Sequence, residues 1–396
     1  MPNKYEQILG DISSRSNLLK MVQEGKSPDE IKQNLVTAFN PFFDNKQNLE
    51  DLVLYNLVGE FHSLLILSKT EYFDHFWDCL NTYKRAKLID PDISFEGIAI
   101  FEEQMSEAVG RFWSVYFLQE DLRELGDEEL LFECICKIGE ICEGLTKPFL
   151  RSLLFQVKIT IGEKPDHKKI EALSLGKLTE ELIRESGYPE LFIPKPKNLK
   201  LHDWRNIAYH HSASIENSII TCKYGENNKK TVKLTKSELI QTCENLFFIF
   251  NTIKLAQKIF SIDNIYEIEK FEKHWKNGHI RKETEFQQLA LGMMTQGFEI
   301  KNFNFDNKKT NVTIFDVTTI KGNNLIKRVA HVSQFLFYFW TITNSTEIDI
   351  EYENTARKFL ITVKGSECQN LEREILTLAE FIDKVEIIDL LSGEKF

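Results

Sequence analysis

The sequence predicts a mainly α chain that ends in an α+β domain. Three observations predict it. Apolar residues recur at helical spacing through most of the first 265 positions, strand-like alternation dominates only after that, and Pro, Gly and cap residues punctuate the change. The expected order is a helical domain over 1–125, an up-and-down four-helix bundle with a hairpin over 126–265, and an α+β domain over 266–396. A length of 396 residues is too great for one compact core. Hydrophobic content of 42%, with 30 Phe, argues for a folded chain rather than disorder.

In the first segment, Ser27-Pro28-Asp29-Glu30 places a cap, a first-turn proline and a returning carboxylate at a helix start. Leu49–Leu67 and Phe73–Tyr83 carry apolar residues at helical spacing, Asp90-Pro91-Asp92 breaks the pattern, and Ile98–Leu122 resumes it. His62 and His75 have no partners at ligand spacing and are read as packing residues.

Residues 128–161 read as one long apolar-faced helix that Pro148 kinks or splits, because proline lacks the N–H that an interior turn needs. Glu140 and Glu143 lie on its polar side, where a solvated carboxylate is the default and a pair with Arg205 the alternative for either. Leu173–Ser186 forms the next helix, and Pro194 and Pro196 among lysines suggest an extended connector. A helix is then expected from Leu201 to about Thr221, capped by Asp203, with Trp204, Ile207, Ala208, His211, Ile215 and Ile219 buried. Ile219–Lys223 and Thr231–Leu234 flank a turn-forming stretch and read as a hairpin. Thr235-Lys236-Ser237-Glu238 is a capping box that opens a helix with Leu239, Cys243, Leu246, Phe247, Phe250, Ile253 and Phe260 inward.

The last segment predicts a helix at Glu283–Thr295, strands at Phe298–Phe305, Val312–Ile320, Ile348–Tyr352 and Phe359–Val363, and a helix at Asn370–Asp383. Leu325–Ile342 reads as a helical core element or a partner surface. Glu347, Asp349, Glu351 and Glu353 alternate onto one strand face, where a solvated surface is favoured over a metal site.

Several function classes are set aside. No run of about 18 uncharged apolar residues exists, so no membrane span is expected. The start lacks a signal-peptide core, which suggests a cytoplasmic protein. Seven cysteines without paired spacing suggest neither a disulfide framework nor zinc, and no cofactor is expected. Net charge is −11, but residues 163–262 hold 16 Lys and Arg against 12 Asp and Glu. Phosphate affinity follows this local balance. Lys195, Lys197, Lys200, Lys229, Lys230 and Lys233 are therefore candidate RNA-binding residues.

The segment between those lysines is Leu201-His202-Asp203-Trp204-Arg205-Asn206-Ile207-Ala208-Tyr209-His210-His211. Arg205 and His210 fall off the expected buried stripe. Five residues apart on a regular helix, they project roughly 140° from one another. A site using both is easier to build if Arg205 lies in the irregular first turn of the helix, or if two copies of the segment face each other across a two-fold axis. Arg205-Asn206-x-x-x-His210 resembles the signature of HEPN domains, small helical nucleotide-binding and ribonuclease modules of bacterial defence and toxin–antitoxin systems. The likeness covers roughly residues 128–262.

That resemblance implies a homodimer with a composite cleft and metal-independent cleavage of RNA to 2′,3′-cyclic phosphate ends. Arg205 would grip the scissile phosphate, His210 would move the proton, and Asn206 would orient one of them. An antitoxin or a phage-derived trigger is the implied regulator. The chemistry suits the residue types, since imidazole titrates near neutrality and a guanidinium matches two phosphate oxygens. The alternative is a HEPN bundle that only dimerises and binds nucleotide or RNA. A lesser alternative rests on a faint likeness of the last domain to restriction-endonuclease folds, through Glu285 and Asp316. Its lysine, Lys321, is not where that metal site needs it.

Overall fold

The computed structural model describes residues 4–15, 17–117, 125–225, 229–274, 281–318, 320 and 322–396. The chain begins with α1 (Lys4–Arg15), α2 (Leu18–Gln23), α3 (Pro28–Phe39), α4 (Lys46–Asn56) and α5 (Val58–Leu67). The Ser27 start signal closes as expected, with Glu30 N–H donating to Ser27 Oγ and Ser27 N–H donating to the Glu30 carboxylate at 2.7 Å. Two long helices come next, α6 (Tyr72–Ile89) and α7 (Pro91–Phe117).

Pro148 divides the next helical stretch. It runs as α8 (Asp127–Gly139), a seven-residue π segment (Glu140–Thr146) and α9 (Lys147–Thr160), with the proline in the first turn of α9. Proline cannot donate to the carbonyl four residues back, and the wider i→i+5 winding accommodates the missing bond. Thr146 Oγ1 donates to the Ile141 carbonyl at 2.7 Å, satisfying an acceptor inside the wide turn. Then come α10 (His167–Glu171), α11 (Leu175–Glu185) and α12 (Leu201–Tyr209). The expected extended connector before α12 is instead turned, with a cis Lys195–Pro196 bond and Asn198 at φ 53°.

A three-stranded antiparallel sheet replaces the expected two-stranded hairpin: β1 (Ala213–Glu216), β2 (Ile219–Tyr224) and β3 (Lys230–Thr235). The Thr235–Glu238 capping box then opens α13 (Lys236–Asp263), and a short α14 (Ile265–Ile268) comes after it.

The chain groups into two compact units, one of Phe39–Leu52 and Ser63–Ile280, the other of Met1–Ala38, Val53–His62 and Arg281–Phe396. These borders do not coincide with the segments 1–125, 126–265 and 266–396. In the first unit, α6 and α7 share the core of the bundle rather than forming their own. Phe260 of α13 lies 5.4 Å from the Tyr83 ring and 6.2 Å from Phe95, so α13 packs on α6 and α7 together. Gln156 of α9 exchanges two hydrogen bonds with Ser94 of α7, its Nε2 donating to the Ser94 carbonyl and its Oε1 accepting from the hydroxyl at 2.7 Å. A 28-residue α13 has apolar residues on more than one side, and α8, α9 and α11 alone would leave part of that surface wet.

The second unit holds α15 (Lys282–Thr295) and a five-stranded sheet in the order β4 (Phe298–Phe305), β5 (Lys309–Asp316), β6 (Glu347–Glu353), β7 (Lys358–Lys364) and β8 (Glu386–Asp389). Only β5 and β6 run parallel. Their crossover is α16 (Asn323–Val332) and α17 (Phe335–Thr343), so the expected element at Leu325–Ile342 is two helices. The helix expected over Asn370–Asp383 is likewise two short ones, α18 (Gly365–Glu372) and α19 (Leu378–Ile382).

Ile300, Ile314, Tyr352 and Phe359 form one buried cross-strand row on the inner face. On the outer face Lys309 Nζ meets Glu347 at 2.8 Å and Asp349 at 2.6 Å, while Lys358 holds Glu351 and Glu353. The acidic row is thus paired with lysines. No cluster of three metal-ligating side chains occurs among the described residues. Asp316 is fully buried and accepts hydrogen bonds from Tyr352 Oη at 2.5 Å, from Thr318 and from Arg328.

Because Phe260 joins three helices at a fully buried position, Phe260→Ala is expected to lower the unfolding free energy by about 3–5 kcal/mol. Equilibrium urea unfolding measures it.

Candidate functional site

Helix α12 spans only nine residues because its C-terminal end is closed by a left-handed turn. Leu201, Trp204, Ile207 and Ala208 bury one stripe against neighbouring helices. The helix starts one turn earlier than Asp203 would cap it, with Lys200 at the cap and Asp203 inside the first turn. It also ends at Tyr209 rather than near Thr221. His211 N–H donates to the Ala208 carbonyl at 3.2 Å, and Ser212 N–H donates to Ile207 at 3.1 Å. These two bonds form a Schellman stop, which requires its closing residue in the left-handed region. His211 fills that position at φ 46°, where glycine is usual.

His211 is therefore exposed, and so is Ile219, instead of continuing the buried stripe. The chain leaves at once into β1. Asn217 and Ser218, both at positive φ, make the two-residue turn to β2.

Arg205 lies against the π segment. Its Nε is 3.3 Å from Glu143 Oε2, and both atoms are sealed from solvent. The contact is ionic and poorly aligned as a hydrogen bond. Neither terminal nitrogen of Arg205 has a hydrogen-bond partner among the described residues. Glu143 also pairs with Lys147 one turn on. The Tyr209 ring lies beneath the guanidinium, its centroid 5.9 Å from Arg205 Cζ. Burial, together with Glu140 and Glu143, pushes the Tyr209 phenol above its ordinary value. Cys142, buried beside Glu143, is pushed up to about 12 by burial and by that carboxylate.

His210 caps the C-terminus of α12, exposed to solvent, its N–H donating to the Asn206 carbonyl at 3.1 Å. Asn206 is half-buried, and among the described residues its side-chain amide has no hydrogen-bond partner. The structure thus brings Arg205 together with Glu143 and Tyr209, while Asn206 touches His210 only through the backbone.

The lysines divide into two groups. Lys195 pairs with Glu71 at 2.5 Å, Lys197 with Glu238 at 2.6 Å and Lys200 with Glu180 at 3.3 Å. Lys230 and Lys233 are exposed on β3 and Lys229 is exposed just before it, with Lys230 Nζ 5.8 Å from the Tyr224 ring. Lys233 lies across from Thr221 and diagonal to Lys223 on the outer face, so Lys223 adds to the same basic surface.

A scan against protein-family models, a search of curated proteins and a search of solved structures each find no match to this chain.

The left-handed histidine gives a stability test. His211→Gly removes the steric cost of a Cβ at positive φ and is expected to stabilise the protein by about 1 kcal/mol. Thermal unfolding would register this as a small rise in Tm.

Proposed function

We propose that the chain is a metal-independent endoribonuclease of the HEPN type, acting as a toxin or in defence against phage. The observation that carries the reading is the state of the two motif side chains at the end of α12. Arg205 is anchored through Nε with its terminal nitrogens uncommitted, and His210 is exposed at the helix end.

In the proposed reaction the terminal nitrogens of Arg205 hold two non-bridging oxygens of the scissile phosphate and offset the charge that builds on it. His210 takes the proton from the ribose 2′-OH as that oxygen attacks phosphorus. The P–O5′ bond breaks, the departing 5′-oxygen takes a proton from water, and the product carries a 2′,3′-cyclic phosphate. Asn206 supports the phosphate from the same helix. The angle between Arg205 and His210 favours a homodimer in which each copy completes the other's cleft. Lys229, Lys230 and Lys233 extend the RNA path. Exposed ion pairs are worth about 0–1 kcal/mol, so phosphate can displace the glutamates from Lys195 and Lys200. An antitoxin or phage-derived trigger would act on this nuclease from outside the motif.

A second reading, a bundle that binds RNA without cutting it, is favoured by the exposed Lys223, Lys230 and Lys233 of the small sheet, which can hold phosphate with no part played by His210. Purified full-length protein incubated with RNA in excess chelator separates the two. The nuclease reading expects 2′,3′-cyclic phosphate ends, a loss of about 10²–10⁴-fold in rate for His210→Ala, and about 10²–10³-fold for Arg205→Ala. Expression should arrest growth, and His210→Ala should abolish the arrest at equal protein level. RNA that is bound but left intact by the wild-type chain would instead establish the binding module.

A further inference from the structure

Two glycines lie next to the motif helix, and each has a side chain from another helix over it. A Cβ on Gly139 would meet the Tyr209 ring at 3.4 Å. A Cβ on Gly144 would stand 3.7 Å from Arg111 Cδ and 3.8 Å from its Nη1, with Glu140 Oε2 at 3.0 Å. Gly139 ends α8 and Gly144 lies within the π segment, and with no Cβ at either position the Tyr209 and Arg111 side chains come close to the segment's backbone. Tyr209 comes from α12 and Arg111 from α7, and both belong to the same compact unit.

The charges around that segment are uneven. Arg111, Lys147 and Arg205 face Glu140 and Glu143. Glu143 is engaged by Arg205 and Lys147. Arg111 is exposed and makes no ion pair among the described residues, in contrast to Lys195, Lys197 and Lys200. Tyr209 is 52% exposed, although its ring is fixed on one side by Gly139 and by the Arg205 guanidinium. An aromatic ring immobilised on one side and wet on the other, with Arg205 against it and Arg111 close enough to act on its phenol, suits a stacked base whose phosphates are held by the two arginines.

We propose that Tyr209, Arg205 and Arg111 form a subsite for one unpaired nucleotide of single-stranded RNA. Tyr209 stacks the base, Arg205 takes the phosphate on the motif side and Arg111 takes the neighbouring phosphate. The subsite rests on the reading of Arg205 as a phosphate-binding residue. It adds the substrate class, because a base inside a duplex has no free face to give the tyrosine.

The test measures binding by fluorescence anisotropy, using full-length His210→Ala protein, an unstructured oligouridylate and an RNA duplex of equal length. The oligouridylate is expected to bind more tightly than the duplex. Tyr209→Ala should weaken that binding about fivefold to a hundredfold, as loss of one base–aromatic stack does, while Tyr209→Phe keeps it. Arg111→Ala should weaken it and flatten the salt dependence, and Arg111→Lys should restore part of the loss. Thermal melts confirm that each variant is folded. Equal affinity for both RNAs, or an unchanged Kd for Tyr209→Ala, overturns the subsite. Wild-type cleavage, scored separately, distinguishes the two ideas. RNA cut without dependence on Tyr209 leaves the nuclease and removes the subsite. Tyr209-dependent binding without cutting leaves the subsite and removes the nuclease.

Discussion

The contact between Glu143 and Arg205 is the constraint on which the rest of the site depends. A guanidinium that is partly removed from water needs a compensating charge, and a carboxylate in the same position needs one equally. Each supplies the other's requirement, and the facing atoms are sealed. The pairing depends on the helix that carries Glu143. Pro148 denies a hydrogen bond to the turn before it, the backbone widens into a π segment, and the widened turn sets the direction of Glu143. A proline outside the motif thereby helps to position the motif arginine, and bulges of this kind recur where proteins place functional groups.

Much of the fold was legible where one residue type forces one local geometry. Pro148, the Ser27 and Thr235 caps and the pairing of β2 with β3 all act through the backbone and sit where the chain suggested. The end of α12 was not legible. Ile215 and Ile219 are four apart and continue a helical stripe, yet they belong to a region dense in β-branched residues that also suits strands. The stop depends on His211 adopting a left-handed conformation, and histidine carries no signal as clear as glycine's. Of the two glutamates named for Arg205, only the π register selects Glu143.

Charge was the least legible property. Lysines counted along residues 163–262 suggested RNA-binding candidates, but Glu71, far away in sequence, and Glu180, inside the same window, pair with Lys195 and Lys200. The converse holds for Arg111. It belongs to a segment without visible chemistry and comes near the motif only because α7 packs on the π segment. Local charge counts describe the chain, whereas potential belongs to the folded surface.

The second unit is assembled from both ends of the sequence, and this bears on how the protein is made. Tyr5 of α1 packs edge-on against Phe286 and Phe303 at ring distances of 4.9 and 5.1 Å. On a ribosome moving at about 5–20 residues per second, α1 emerges roughly 15–55 s before those partners exist. For that interval its apolar stripe is uncovered while all of α6–α13 is being synthesised. The interior of the first unit can therefore close before the earliest helix finds its place. The newborn chain spends that time with the stripe of α1 sticky and uncovered, the condition under which holding chaperones bind.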